Sequence, residues 1–165
     1  METLFAPWRL SYLVSEKPAG CIFCDALRGD DADTLVVHRG ERVFSMLNRY
    51  PYANGHVMVA PVAHQARLFE SDGATLAELI GEVSRAQDVL ARLYRAGGFN
   101  VGANFGRAGG AGIADHYHFH VVPRWDGDTN FMTVTAGTRV VPEELPETRR
   151  AVAAGFEALA AGDAR

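Results

Sequence analysis

His116-Tyr117-His118-Phe119-His120-Val121-Val122 is the stretch on which the reading turns. Side chains on a β-strand alternate between its two faces. A strand here places His116, His118 and His120 on one face and Tyr117, Phe119 and Val121 on the other. The apolar face packs on a core. The three imidazoles then share a surface that must be solvated, occupied by a ligand or bound to metal. Pro123 bounds the strand, because proline has no N–H for a central ladder.

Three readings of that surface stand side by side. It can be an exposed polar face, a three-histidine metal site or a nucleophile with its supporting groups. Same-face neighbours on a strand lie roughly 6.5–7 Å apart, which suits two ligands on one ion better than three. The nucleophile reading also draws on the preceding loop, Gly106-Arg-Ala-Gly-Gly-Ala-Gly112. Glycine lets backbone N–H groups approach an anion closely, so Gly110 and Gly112 are candidates for a phosphate cradle. Neutral imidazole attacks phosphorus well, and its adduct breaks down readily.

Outward from this strand the pattern is of strands in runs. Leu35 to His38, Val43 to Leu47 and His56 to Pro61 read as strands, with turn formers at 39–42 and 48–55. Residues 75–95 read as a helix whose apolar face is Leu76, Leu79, Ile80, Val83, Leu90, Leu93 and Tyr94. Ser71 or Asp72 caps its start and Gly97-Gly98 ends it. Phe99 to Phe105 reads as a strand, and the histidine strand runs from Tyr117 to Val122. A short hairpin over 131–134 and 138–141 and a helix from Glu147 to Ala160 complete the chain. One long helix between runs of strands favours an antiparallel α+β domain over a doubly wound parallel sheet. The expectation is a single domain over 1–165, with an N-terminal extension at 1–20 and a helical tail from about 143.

The bulk properties agree. A chain of 165 residues, 48% hydrophobic and 22% charged, is long enough to bury a core without disulfides. Its net charge of −4 argues against a nucleic-acid polymer as partner, though not against one small anion. No stretch has the signature of a signal peptide or a membrane span, so a cytoplasmic protein with no membrane partner is expected.

The two cysteines form one pair, Cys21-Ile-Phe-Cys24. The spacing admits two corners of a tetrahedral zinc, a pair of reduced buried thiols or a redox motif; the last lacks the βαβ context it needs. His38 reads as a surface histidine, and Asp115 and Asp128 as solvated loop carboxylates. The aromatics Phe5, Trp8, Tyr12, Tyr50 and Trp125 read mostly as packing groups, with Trp125 favoured for stacking on a base.

The histidine stretch resembles the His-apolar-His-apolar-His-apolar-apolar pattern of the histidine triad (HIT) superfamily. Asn48, Pro51 and Gly55-His56-Val-Met-Val-Ala-Pro61 match the same family's earlier strand. Ala6-Pro-Trp-Arg9, Pro123-Arg-Trp125 and Gly127-Asp-Thr-Asn-Phe-Met132 look like the Fhit-related branch that acts on dinucleoside polyphosphates. The resemblance implies a HIT-type domain with about five antiparallel strands, working as a homodimer.

The resemblance also implies roles. His118 attacks the α-phosphorus, His120 holds phosphate oxygens, and His56 sits beside the same phosphate. Asn48 falls where the family contacts ribose, and Asn104 where Fhit-like members place a glutamine. Zinc-bearing members resemble this chain at Cys21, Cys24, His64 and His116, which implies a structural zinc and no organic cofactor. Members that use orthophosphate carry a hydroxyl residue where this chain has Gly112, which tilts the reading towards water as acceptor. Diadenosine tetraphosphate is the favoured substrate. The alternatives are a Hint-like nucleoside phosphoramidate hydrolase, a nucleotide-binding sensor with little turnover, and a zinc protein without a nucleotide role.

Overall fold

A computed structural model describes residues 20–128 and 142–162. The hairpin expected at 131–141, the motif around Trp8 and the end of the Gly127–Met132 motif lie outside the described residues. So do Phe5 and Tyr12. Five strands, β1 (Val36–Arg39), β2 (Val43–Leu47), β3 (Val57–Pro61), β4 (Gly98–Ala103) and β5 (Phe119–Arg124), form one antiparallel sheet in the order β1-β2-β3-β5-β4. The helices are α1 (Ile22–Arg28), α2 (Asp31–Thr34), α3 (Gly73–Tyr94) and α4 (Leu145–Ala160). This is the α+β sheet expected from the sequence.

Both faces of the sheet are covered. Val43, Leu47, Val57, Val59 and Val121 face α3 and α4 in the larger core, together with Tyr117. Phe44, Met46, Met58 and Ala60 point the other way and pack under Phe23 and Ala26 of α1. The period of two thus runs through β2, β3 and β5 alike. It puts Tyr117 and Val121 in the larger core and the histidines on the α1 side.

Of the three readings of the histidine face, the exposed polar surface is the one the structure removes: His116 is 0% exposed and His118 5%, because α1 lies across it. Other expectations are corrected. Regular pairing in β5 begins at Phe119 rather than Tyr117, and Pro123 lies inside the strand. It is tolerated there because β3 pairs only as far as Val121, so Pro123 faces β4 alone, opposite Phe99. Cys21 and Cys24 sit at the start of α1, a helix for which the sequence carries no periodic signal of its own.

Helix α3 starts at Asp72, whose Oδ1 accepts from the Thr75 N–H at 2.7 Å. It ends on Arg95 in the left-handed region (φ 52°), before the two glycines expected to stop it. Its buried stripe includes Leu79, Glu82, Val83, Ala86, Val89 and Leu90. Ile80 and Leu93 are exposed, whereas Glu82, a residue an apolar count passes over, is 1% exposed. Glu82 is held by Ser45 Oγ at 2.6 Å, His38 Nδ1 at 2.8 Å and Arg85 at 2.9 Å. His38 is therefore no free surface histidine; its ring also stacks on Phe156 of α4.

Helix α4 is a core element. Val152 and Phe156 are buried against α3 and β1, and Pro146 occupies its first turn, where no N–H is needed. Phe156→Ala is expected to lower stability by about 3–5 kcal/mol in urea denaturation. A loss below about 1 kcal/mol would mean that α4 is an appendage.

Candidate functional site

Strands β3 and β5 are neighbours, with Met58 opposite His120 and Val57 opposite Val121. That register brings His56, at the entry to β3, against His120. The loop 48–55 makes the approach. Asn48 Oδ1 accepts from the Tyr50 N–H at 2.9 Å, and Gly55 turns at φ 72°. A Cβ at Gly55 would meet Leu90 at 2.9 Å.

Hydrogen bonds fix how each imidazole is protonated. The Tyr52 N–H lies 3.1 Å from His56 Nδ1, and an amide can only donate. The His56 proton therefore sits on Nε2 and is donated to His120 Nδ1 at 2.9 Å. His120 then carries its own proton on Nε2. His118 Nδ1 lies 3.1 Å from the carbonyl of His116, which can only accept, so His118 Nδ1 is protonated and Nε2 holds a lone pair. The rings of His118 and His120 meet edge to face at 4.9 Å. The row thus presents one nucleophilic nitrogen and, beside it, one N–H donor. Among the described residues neither nitrogen has a partner. Among the described residues Asn54 Oδ1 is the one fully buried side-chain polar atom without a partner, so both nitrogens open to solvent.

Burial keeps the row neutral. It pushes His56 down to about 3, helped by His120 and His118. It pushes His120 down to about 4, helped by His118. Burial also lowers His118, partly offset by its bond to the His116 carbonyl. The ring of Phe23, 4.7 Å from that of His118, supplies much of the apolar cover.

A second cluster lies at the far end of the same row. One ligand atom from each of Cys21, Cys24, His64 and His116 falls within 4.8 Å of all the others. Cys21 Sγ is 3.2 Å from His116 Nδ1, and Cys24 Sγ is 3.2 Å from His64 Nδ1 and 3.7 Å from His116 Nδ1. A zinc tetrahedron of two sulfurs and two nitrogens has S···N edges of about 3.5 Å, so the donor set fits one. His116 Nε2 donates to the Pro61 carbonyl at 2.8 Å, which leaves Nδ1 unprotonated and aimed at the cluster. Burial, chiefly, lowers His116 to about 4.

The other expected site residues scatter more. Asn104 and Gly112 are exposed on the loop before the triad, and Gly110 turns there at φ 84°. Trp125 lies five residues beyond His120, where its indole N–H donates to the Tyr94 carbonyl at 2.9 Å and so closes the end of α3. Asp128, expected as a solvated loop carboxylate, pairs with Arg124 instead. The sequence reading missed the Tyr52 N–H, the His116 carbonyl and Phe23. Backbone groups leave no composition signal, but the cysteine pair flanking Phe23 did mark the segment that covers the row.

The chain belongs to the HIT family: the HIT domain model matches residues 30–127. Among its relatives is the AP-4-A phosphorylase of Mycobacterium tuberculosis. The two are 39% identical over 163 residues, covering 93% of this chain and 83% of the relative. The adenosine 5'-monophosphoramidase of Candida albicans is 30% identical over 115 residues, covering 67% of this chain and 74% of the relative. A solved structure of a zinc-bound histidine triad family protein from Mycobacterium smegmatis superposes with a TM-score of 0.71 at 28% identity, covering 86% of this chain and 96% of that one. Among the described residues no helix is long and apolar enough to cross a membrane.

Neutral buried histidines tie stability to pH with a definite sign. In the unfolded chain His56 takes a proton below its ordinary value of 6.5, whereas in the fold it stays neutral down to about 3. Its contribution is fully present above pH 6.5 and is lost as pH falls towards 3, by about 1.4 kcal/mol per pH unit. His56→Asn is expected to remove about one proton from the uptake on unfolding at about pH 5, read from urea stability against pH. An unchanged slope would show that His56 is charged in the fold.

Proposed function

We propose that this chain cleaves dinucleoside polyphosphates, with diadenosine tetraphosphate favoured, through a nucleotidyl-histidine intermediate on His118. The observation that carries the proposal is the assigned lone pair on His118 Nε2 beside the Nε2–H of His120. His118 Nε2 attacks the α-phosphorus, the P–N bond forms, and the bridging P–O bond breaks to release ATP. His120 donates to a non-bridging oxygen where charge develops. His56 holds His120 in the donating tautomer. An acceptor oxygen then attacks the same phosphorus and returns the lone pair to His118.

On the acceptor, Gly112 favours water and the name of the M. tuberculosis relative favours orthophosphate. Coverage of 93% of the chain outweighs one position, so orthophosphate is the acceptor proposed. Asn48 is assigned to the ribose, Asn104 to the leaving oxygen, Gly110 and Gly112 to the phosphate, and Trp125, through its ring face, to a base. The second reading, phosphoramidate hydrolysis, is favoured by the C. albicans relative and would use the same His118 chemistry. A homodimer and a cytoplasmic site of action complete the proposal.

Cys21, Cys24, His64 and His116 would hold one zinc. With four protein ligands it leaves no open position, so its chemistry is to cross-link α1 to the sheet and hold Phe23 over His118. One equivalent of zinc per chain is expected by elemental analysis. Cys24→Ser is expected to lose that zinc and lower the melting temperature; a metal-free wild type of equal stability would overturn the assignment.

Incubation with diadenosine tetraphosphate tests the reaction. ADP plus ATP only with orthophosphate is the expected product pattern; AMP plus ATP would assign water as acceptor. His118→Asn is expected to cut turnover by at least about 10³-fold, since it removes the nucleophile. Residual turnover within tenfold of wild type would sink the histidine intermediate.

A further inference from the structure

Arg67 has no role in the site described so far, yet the fold carries it to the edge of that site. The Gln65 carbonyl accepts from the Tyr117 N–H at 2.8 Å, so Gln65, two residues before Arg67, lies against the chain between His116 and His118. Glu70 fixes the backbone there: its Oε2 takes the N–H groups of Ala66 at 2.7 Å and Arg67 at 3.1 Å. The side chain then lies on the first residue of the glycine loop. A Cβ built on Gly106 would come within 3.3 Å of Arg67 Nη2 and 3.7 Å of Cζ, and Gly106 turns at φ 68°.

The guanidinium is half-buried but electrostatically unanswered. Arg39, Arg85 and Arg124 each end on a carboxylate. Arg67 donates only from Nη1 to the carbonyl of Ala66 at 3.2 Å, and among the described residues no carboxylate pairs with it. A planar cation held between a fixed backbone and a glycine turn matches a phosphate oxyanion in charge and in geometry.

We propose that Arg67 and the turn at Gly106 form a second anion subsite beside the histidine row. It takes a phosphate group other than the one His118 attacks. This rests on the proposed function. The oxyanion has two sources: the phosphates further along a polyphosphate chain, or the orthophosphate acceptor. Arg67 is then a determinant of chain preference or of acceptor affinity, and the glycine at 106 keeps its guanidinium uncovered.

Calorimetric titration of wild type, Arg67→Ala and Arg67→Lys with AMP, ATP and inorganic triphosphate tests it. The expected result is that Arg67→Ala lowers the ratio of ATP to AMP affinity by on the order of tenfold, with partial rescue by Arg67→Lys. That outcome assigns the chain as the source. An unchanged ratio with a raised KM for orthophosphate assigns the acceptor. A proportionate loss on both nucleotides, or no change in either readout, overturns the subsite. If Arg67→Ala fails to fold, Arg67→Gln replaces it. If wild type binds neither nucleotide, the proposed function fails, and inorganic triphosphate decides the subsite alone: binding lost in the variant supports it, and absence of binding overturns it.

Discussion

Three imidazoles on one strand face can be buried only if each ring nitrogen has a partner or a path to solvent, and much of this structure follows from that constraint. His116 satisfies it with the Pro61 carbonyl on one side and the cysteines on the other. His118 uses the carbonyl of His116, and His120 uses His56, which in turn uses the Tyr52 amide. The chain of bonds runs from main chain to main chain across two adjacent strands. Two nitrogens are left over, an acceptor and a donor, side by side. A lone pair and an N–H donor side by side are groups that phosphoryl transfer can use.

The cover over that row comes from a separate piece of chain. Helix α1 has seven residues, too few to be stable alone, and Phe23 is its main apolar anchor. Its two cysteines sit against His64 and His116, on either side of Phe23. The cluster and the smaller core therefore hold the same helix by different means, one through directed bonds and one through buried area. Removing either would let water reach His118 and raise its affinity for protons, so that less of it stays neutral at lower pH.

The sequence showed the sheet clearly because alternation is a local signal: Val43-Phe-Ser-Met-Leu47 and Val57-Met-Val-Ala-Pro61 have period two whatever packs on them. It also marked the histidine row and the four cysteine and histidine positions of the second cluster. It was less clear about which faces are covered. Both faces of β2 and β3 are buried, and no pattern within those strands names α1 as the cover for one of them. Glu82 shows the same limit. A charged residue reads as solvent-facing until Ser45, His38 and Arg85 are brought to it from β2, β1 and α3 itself.

Glycine-rich loops are read by default as backbone cradles for anions, and in this chain that reading is incomplete. A Cβ at Gly106 would come within 3.3 Å of Arg67 Nη2, so the absence of a side chain there does two things. It permits the left-handed turn, and it spares the guanidinium that contact. Arg67 is not alone in lacking a carboxylate, since Arg49 and Arg149 also donate to carbonyls; what sets it apart is its place against the glycine loop. The acid within reach in sequence, Glu70, is engaged by main-chain N–H groups instead. The local structure withholds a protein anion from Arg67 and holds it on the glycine loop that leads into the histidine row. The same economy of bonds that leaves His118 Nε2 and His120 Nε2 without a protein partner leaves Arg67 without a carboxylate, and that shared lack is what a polyanionic ligand would answer.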